Sequence, residues 1–296
     1  MEAERSFATR TLKVVGFGLL AFAITSLAGG IWSALLVTNL RSSPAVPWSV
    51  PAMALLLWLM WSYLGGRGWP RSTSEARRLY LRANRRSSRT YLWAWVAGFL
   101  SVVALAGYWI VLFQLVKMPP NALSDVSSYP RITVALMILM GSSVSPLMEE
   151  AGFRGYFQVA LEREFRGPVA VVISSILFAL AHGPTQGFLL PKLLFYFLVG
   201  VAFGATAYLT DSILPAIPVH VAGLLIFFSL VWPHDANRRL LWEGGGGAWF
   251  WIHAAQTIIF TALAILAFLR LARVTERMRT VGGDCVVSDP TSEPVG

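Results

Sequence analysis

Eight apolar runs dominate the chain, at residues 14–38, 48–64, 91–116, 132–161, 168–182, 188–209, 213–232 and 249–270. About 20 apolar residues in a helix cross the ~30 Å hydrocarbon core of a bilayer. Several runs meet that length, and together they cover most of the 296 residues. The composition agrees. Only 13% of residues are charged and 56% are hydrophobic, with a mean hydropathy of +0.61, where an average soluble domain carries about 25% charged residues. The expectation is an all-α, polytopic membrane helix bundle with about eight transmembrane helices in one unit. The second and fifth runs are short. The fourth is long enough, at about 45 Å, that it must tilt, protrude or break. Pro146 and Gly152 are the places for a break, because an interior proline removes a ladder hydrogen bond.

Charge placement sets the organisation. The net charge of +9 does not indicate a nucleic-acid partner, because the basic residues sit between apolar runs and no binding motif accompanies them. Eight arginines, at 67, 71, 77, 78, 82, 85, 86 and 89, crowd between the second and third runs. They read as a cytoplasmic loop under the positive-inside bias, close to anionic lipid headgroups. Arg5, Arg10 and Lys13 before the first run, Arg163 and Arg166 after the fourth, and Arg270, Arg273, Arg277 and Arg279 after the eighth fall on the same side. Both termini are then cytoplasmic. The opposite loops hold fewer: Arg41, Lys117, Arg131, Arg238 and Arg239. Trp48, Trp69, Trp93, Trp232 and Trp249 stand near run ends as interfacial aromatics.

The division that follows is a cytoplasmic N-terminus at 1–13 and N-terminal transmembrane helices at 14–130, with an arginine-rich loop at 65–90. A core of functional helices at 131–232 comes next, then the last helix with its basic flank at 233–279, then a disordered tail at 280–296. The first run is too long for the 7–15-residue core of a signal peptide and reads as a retained span. Cys285, the only cysteine, excludes an intrachain disulfide. With three lysines among 24 basic residues, the arginine bias points to a bacterial plasma membrane.

Ionisable side chains inside a bilayer face the bundle interior and mark functional paths. The apolar runs contain Glu149, Glu150, Arg154, His182, Lys192, Asp211 and His220. Lys192 and Asp211 lie near run ends, where they can snorkel or cap a helix. Glu150 and Arg154 are four apart, on one helical face, and an ion pair there offsets part of their desolvation cost. Glu149 is rotated about 100° away and is left for another task. A salt-bridged kink that only holds helices together is the bland reading. Two histidines on later runs argue for more. A carboxylate beside a neutral imidazole can hold and deprotonate a water, and a second imidazole can donate to an oxyanion. Alternatively, Glu149, His182 and His220 ligate zinc, with water in the fourth position.

At these residues the chain resembles the CAAX protease and bacteriocin-processing (CPBP, or Abi) family of intramembrane proteases. The family pattern is a glutamate pair with an arginine four after the second, then F-x-x-x-H, then a histidine usually followed four later by asparagine. Here these are EEAGFR (Glu149, Glu150, Arg154), FALAH (Phe178, His182) and HVAGL (His220). The resemblance covers roughly residues 130–232. It implies that Glu149 is the general base on water and His182 helps position that water. His220 would polarise the scissile carbonyl, and Arg154 would hold Glu150 as an orienting group. Phe178 would pack beside the site, and Gly152 and Gly155 would let a helix or substrate backbone approach. The family is often described as metallo-, so zinc is the cofactor to consider, although a glutamate–water–histidine mechanism needs none. One position departs: Leu224 stands where asparagine is usual, and leucine cannot donate to an oxyanion. Loss of one such donor costs ~100-fold or more in rate.

Competing protease motifs are absent. There is no H-E-x-x-H, and GSSVS at 141–145 only approximates a membrane serine-protease motif. The expected function is an intramembrane endopeptidase acting on a membrane-associated or prenylated protein or peptide, with membrane lipid as its other partner and no nucleic acid. One alternative is a weakly active or inactive relative serving as a membrane scaffold or bacteriocin self-immunity factor, which Leu224 favours. A second is a proton- or ion-coupled transporter, against which stands the lack of two related halves.

Overall fold

The computed structural model describes residues 2–119 and 128–284. Ten α-helices follow one another, with no strand among the described residues. They are α1 (Glu2–Ser42), α2 (Ser49–Leu64), α3 (Ser74–Leu81), α4 (Ser88–Leu115), α5 (Arg131–Glu149), α6 (Gln158–Glu162), α7 (Gly167–Gln186), α8 (Leu190–Thr210), α9 (Ala216–Ile226) and α10 (Ala248–Asp284). Each of the eight apolar runs is helical. Seven of the resulting helices are long and apolar enough to span a membrane, and the apolar α2 is shorter at 16 residues, or about 24 Å.

The fourth run does not break. It continues from α5 through a π-helix, Glu150–Phe157, into α6. Pro146 sits inside α5, and Gly152 and Gly155 serve close packing instead of a kink. A β-carbon on Gly152 would lie 3.0 Å from the Ala21 carbonyl oxygen of α1, and one on Gly155 would lie 3.0 Å from the carbonyl oxygens of both Tyr80 and Leu81. The wide π-turn is thus wedged between α1 and α3, where only a bare backbone fits. The Tyr156 hydroxyl adds a hydrogen bond to the Leu64 carbonyl at 2.9 Å.

The arginine-rich segment is more than a solvated loop. It contains α3, and three of its arginines turn inward. Arg82, in a left-handed conformation (φ 56°), forks onto Glu162 at 2.7 and 2.9 Å and reaches Asp211 at 2.9 Å. Arg86 also pairs with Asp211. Arg77 is buried, with its guanidinium 4.1 Å from the Tyr63 ring centroid. Asp211 terminates α8 as a left-handed cap (φ 47°), as its place at a run end suggests. These ties, with Arg10–Glu164 at 3.4 Å, Arg163 to the Tyr80 hydroxyl at 2.9 Å and Arg270 over Trp93, gather the predicted basic groups at one end of the bundle.

Two single-residue expectations fail. Lys192 does not snorkel. It is 2% exposed, with its ammonium 5.9 Å from the centroids of both Trp109 and Phe113, in a core whose acid, Asp235, accepts from Trp109 Nε1 at 3.1 Å and Arg238 Nε at 3.1 Å. Trp232 is not exposed at its run end either. It is buried against Trp109, Phe227 and Phe228, whereas Trp69 and Trp249 are exposed as expected. At the termini, α1 begins at Glu2 and α10 runs to Asp284. Helix therefore extends through residues 280–284 of the expected disordered tail, while residues 285–296, including Cys285, lie outside the described residues.

Candidate active site

The π-helix sets the site. Glu149 ends the regular helix and Glu150 opens the wide turn, and both carboxylates are buried with Arg154. Glu149 faces three groups. Its Oε1 accepts a hydrogen bond from Ser145 Oγ, one turn earlier, and lies 4.0 Å from His182 Nε2. Its Oε2 lies 3.7 Å from His220 Nε2. The structure therefore brings together the three residues expected to meet at a water.

The partners of the imidazoles fix their tautomers. His182 Nδ1 is 2.8 Å from the Phe178 carbonyl oxygen, which only accepts, so Nδ1 carries the proton. His220 Nδ1 is 3.0 Å from Glu150 Oε1, and a carboxylate there likewise accepts. In both rings Nε2 is the nitrogen that faces Glu149. The rings are held flat by α8: His182 stacks on Tyr196 (4.1 Å between centroids, 16°), and His220 stacks on Phe203 (4.3 Å, 17°).

Glu150 pairs with Arg154 as expected, and also with His220. Its closest contact is His220, and Arg154 Nη1 stands 3.6 Å away. Arg154 supplies charge, with its guanidinium carbon over the Phe178 ring, 4.0 Å from its centroid. Phe178 thus packs beside the site as expected, edge-on to Phe153 and tilted against His182. Gly152 receives a neighbouring helix, α1, and does not line the cavity.

Glu149, His182 and His220 line a cavity of about 670 Å³. Glu150 and Arg154 stand behind its wall. Leu224 lines it together with Phe228 and Trp232, so the position usually held by asparagine presents hydrocarbon. Sequence reasoning missed Ser145, Tyr196 and Phe203. The signal was available, because Ser145 lies one turn before Glu149, and Tyr196 and Phe203 lie two turns apart on one face of α8.

The donor set tests the zinc expectation. Two Nε2 atoms and a carboxylate are suitable zinc ligands, but tetrahedral ligands at 2.0–2.1 Å from the metal lie about 3.4 Å apart. The separations of 3.7 and 4.0 Å exceed that, and among the described residues no three His, Cys, Asp or Glu side chains are placed to hold a metal ion. A water spans these gaps without movement of the side chains. The residues as placed do not fit zinc, and no step below passes through a metal.

Residues 131–226 match the family model described as type II CAAX prenyl endopeptidase Rce1-like. This stretch is a domain of the CAAX protease family. It contains all six motif residues, whereas α1 and α4, which also line the cavity, lie outside it. No curated protein and no solved structure matches the chain.

Proposed function

We propose that the chain is an intramembrane endopeptidase that hydrolyses a peptide bond of a membrane-associated or prenylated protein or peptide with a water held between Glu149 and His182. The observation that carries this reading is the convergence of Glu149 on two Nε2 atoms inside a cavity walled by membrane-spanning helices. Glu149 takes a proton from the water as its oxygen attacks the scissile carbonyl carbon. His182, held by its Phe178 bond, orients that water. His220, oriented by Glu150 behind its Nδ1, is the group that polarises the scissile carbonyl. The proton on Glu149 then passes to the departing amine as the C–N bond breaks.

The test incubates purified protein with a membrane-peptide library and compares wild type with Glu149→Ala and His182→Ala. Cleavage that both variants lose supports the reading. Full activity in both removes the assignment. One observation favours a second reading, a slow or non-catalytic relative: Leu224 offers no donor to the oxyanion. That reading predicts slow or no cleavage by wild type under conditions that keep the protein folded.

A further inference from the structure

We infer that the cavity is entered from the end of the bundle opposite the arginine-rich end, so that its substrate is a peptide segment presented from the extracytoplasmic half of the membrane. The substrate part of this inference rests on the protease reading, and the direction of entry does not.

Helix directions decide the geometry. The start of α7 follows Glu164, which pairs with Arg10, and the end of α8 is capped by Asp211, which pairs with Arg82 and Arg86. Both therefore lie at the arginine-rich end. The α7–α8 turn lies at the other end, about 30 Å away along 20 and 21 residues. Helix α1 leaves the arginine-rich end, where Phe17 packs on Tyr80. So does α9, which begins beside the bond from Ile213 N–H to the Arg82 carbonyl.

The cavity follows these directions one way. Toward the arginine-rich end its lining stops at Phe22, Phe203 and His220. Away from that end it reaches Ser33 on α1, Gln186 at the last turn of α7, and Trp232 beyond α9. None of the residues that tie the arginine-rich end together, such as Arg82, Glu162 or Asp211, lines it. His182 stands four residues, or about 6 Å, from the end of α7, where Thr185 is exposed and also lines the cavity. On the opposite side, Glu149 lies 13 residues, or about 20 Å, from Glu162 along its helix. Arginine-rich ends are cytoplasmic under the positive-inside bias, which leaves the mouth on the extracytoplasmic side. A tail tethered to the cytoplasmic leaflet would have to cross the packed half of the bundle to reach Glu149. An exported or membrane-inserted peptide would not. The aromatic walls suit apolar residues beside the scissile bond.

The test needs no substrate. In a Cys285→Ser background, single cysteines are placed at Leu224 and Ser33 in the cavity and at exposed Arg85 at the arginine-rich end. Each is exposed to a membrane-impermeant, positively charged methanethiosulfonate reagent in spheroplasts and in inverted vesicles. The inference expects Leu224→Cys and Ser33→Cys to react in spheroplasts only, and Arg85→Cys in inverted vesicles only. Reaction of either cavity cysteine from the same side as Arg85→Cys overturns it, as does the absence of reaction from both sides. Reaction of Arg85→Cys in spheroplasts overturns the extracytoplasmic assignment. If labelling follows the expected pattern while wild type cleaves no peptide, the protease reading fails and the direction of entry stands.

Discussion

At the scale of single residues, the two adjacent acids have different work. Glu149 faces the cavity and both imidazoles, and Glu150 is turned to His220. The sequence paired Glu150 with Arg154, and that ion pair is present at 3.6 Å, but the closer partner, His220, was not foreseen. A spacing of four residues reports a neighbour on the same helix, and it cannot report His220, which is 70 residues away. Ser145 holds Glu149 by a charge-assisted hydrogen bond, the kind worth about 1.5–3 kcal/mol. Ser145→Ala should lower kcat by about 10-fold or more, with little change in KM, in steady-state assays of any peptide the wild type cleaves. Leu224→Asn restores a donor on the wall beside the site. It should raise kcat by as much as ~100-fold if no other group fills that role. An unchanged rate would mean that another donor already fills it.

At the scale of elements, the apolar runs located every spanning helix, because burial in lipid demands length and hydrocarbon whatever the packing. The π-helix was not legible. Its cause is tertiary: α1 and α3 press on Gly152 and Gly155, and nothing local in EEAGFRGYF announces a wide turn. Gly155→Val should destabilise the fold by roughly 1–3 kcal/mol, since its side chain must displace the Tyr80 and Leu81 carbonyls, and a thermal melt in detergent reads this directly. The inward arginines were hidden for the same reason, because charge in a loop looks alike whether it is solvated or paired. Arg82→Ala leaves Glu162 and Asp211 without their shared cation. With Arg82 buried but Asp211 half exposed, the loss should be about 2–3 kcal/mol, below the range for a wholly buried pair, and should appear as a lowered melting temperature.

At the scale of the whole molecule, the stretch that matches the family model supplies Glu149, His182 and His220, and helices outside it complete the cavity. The first and fourth helices wall the space in front of Glu149, His182 and His220, and the arginine-rich segment clamps the far end of the helix that carries Glu149. The division into motifs and apolar bulk, readable from the sequence, thus understates how much of the site the N-terminal helices build. The central claim is that Glu149 is the base. Its most direct test is single-turnover cleavage of a peptide substrate by Glu149→Gln, in protein whose melting temperature matches wild type. The amide keeps the shape of the carboxylate and cannot take the proton. The account predicts no product above the uncatalysed background, and cleavage at the wild-type rate would contradict it.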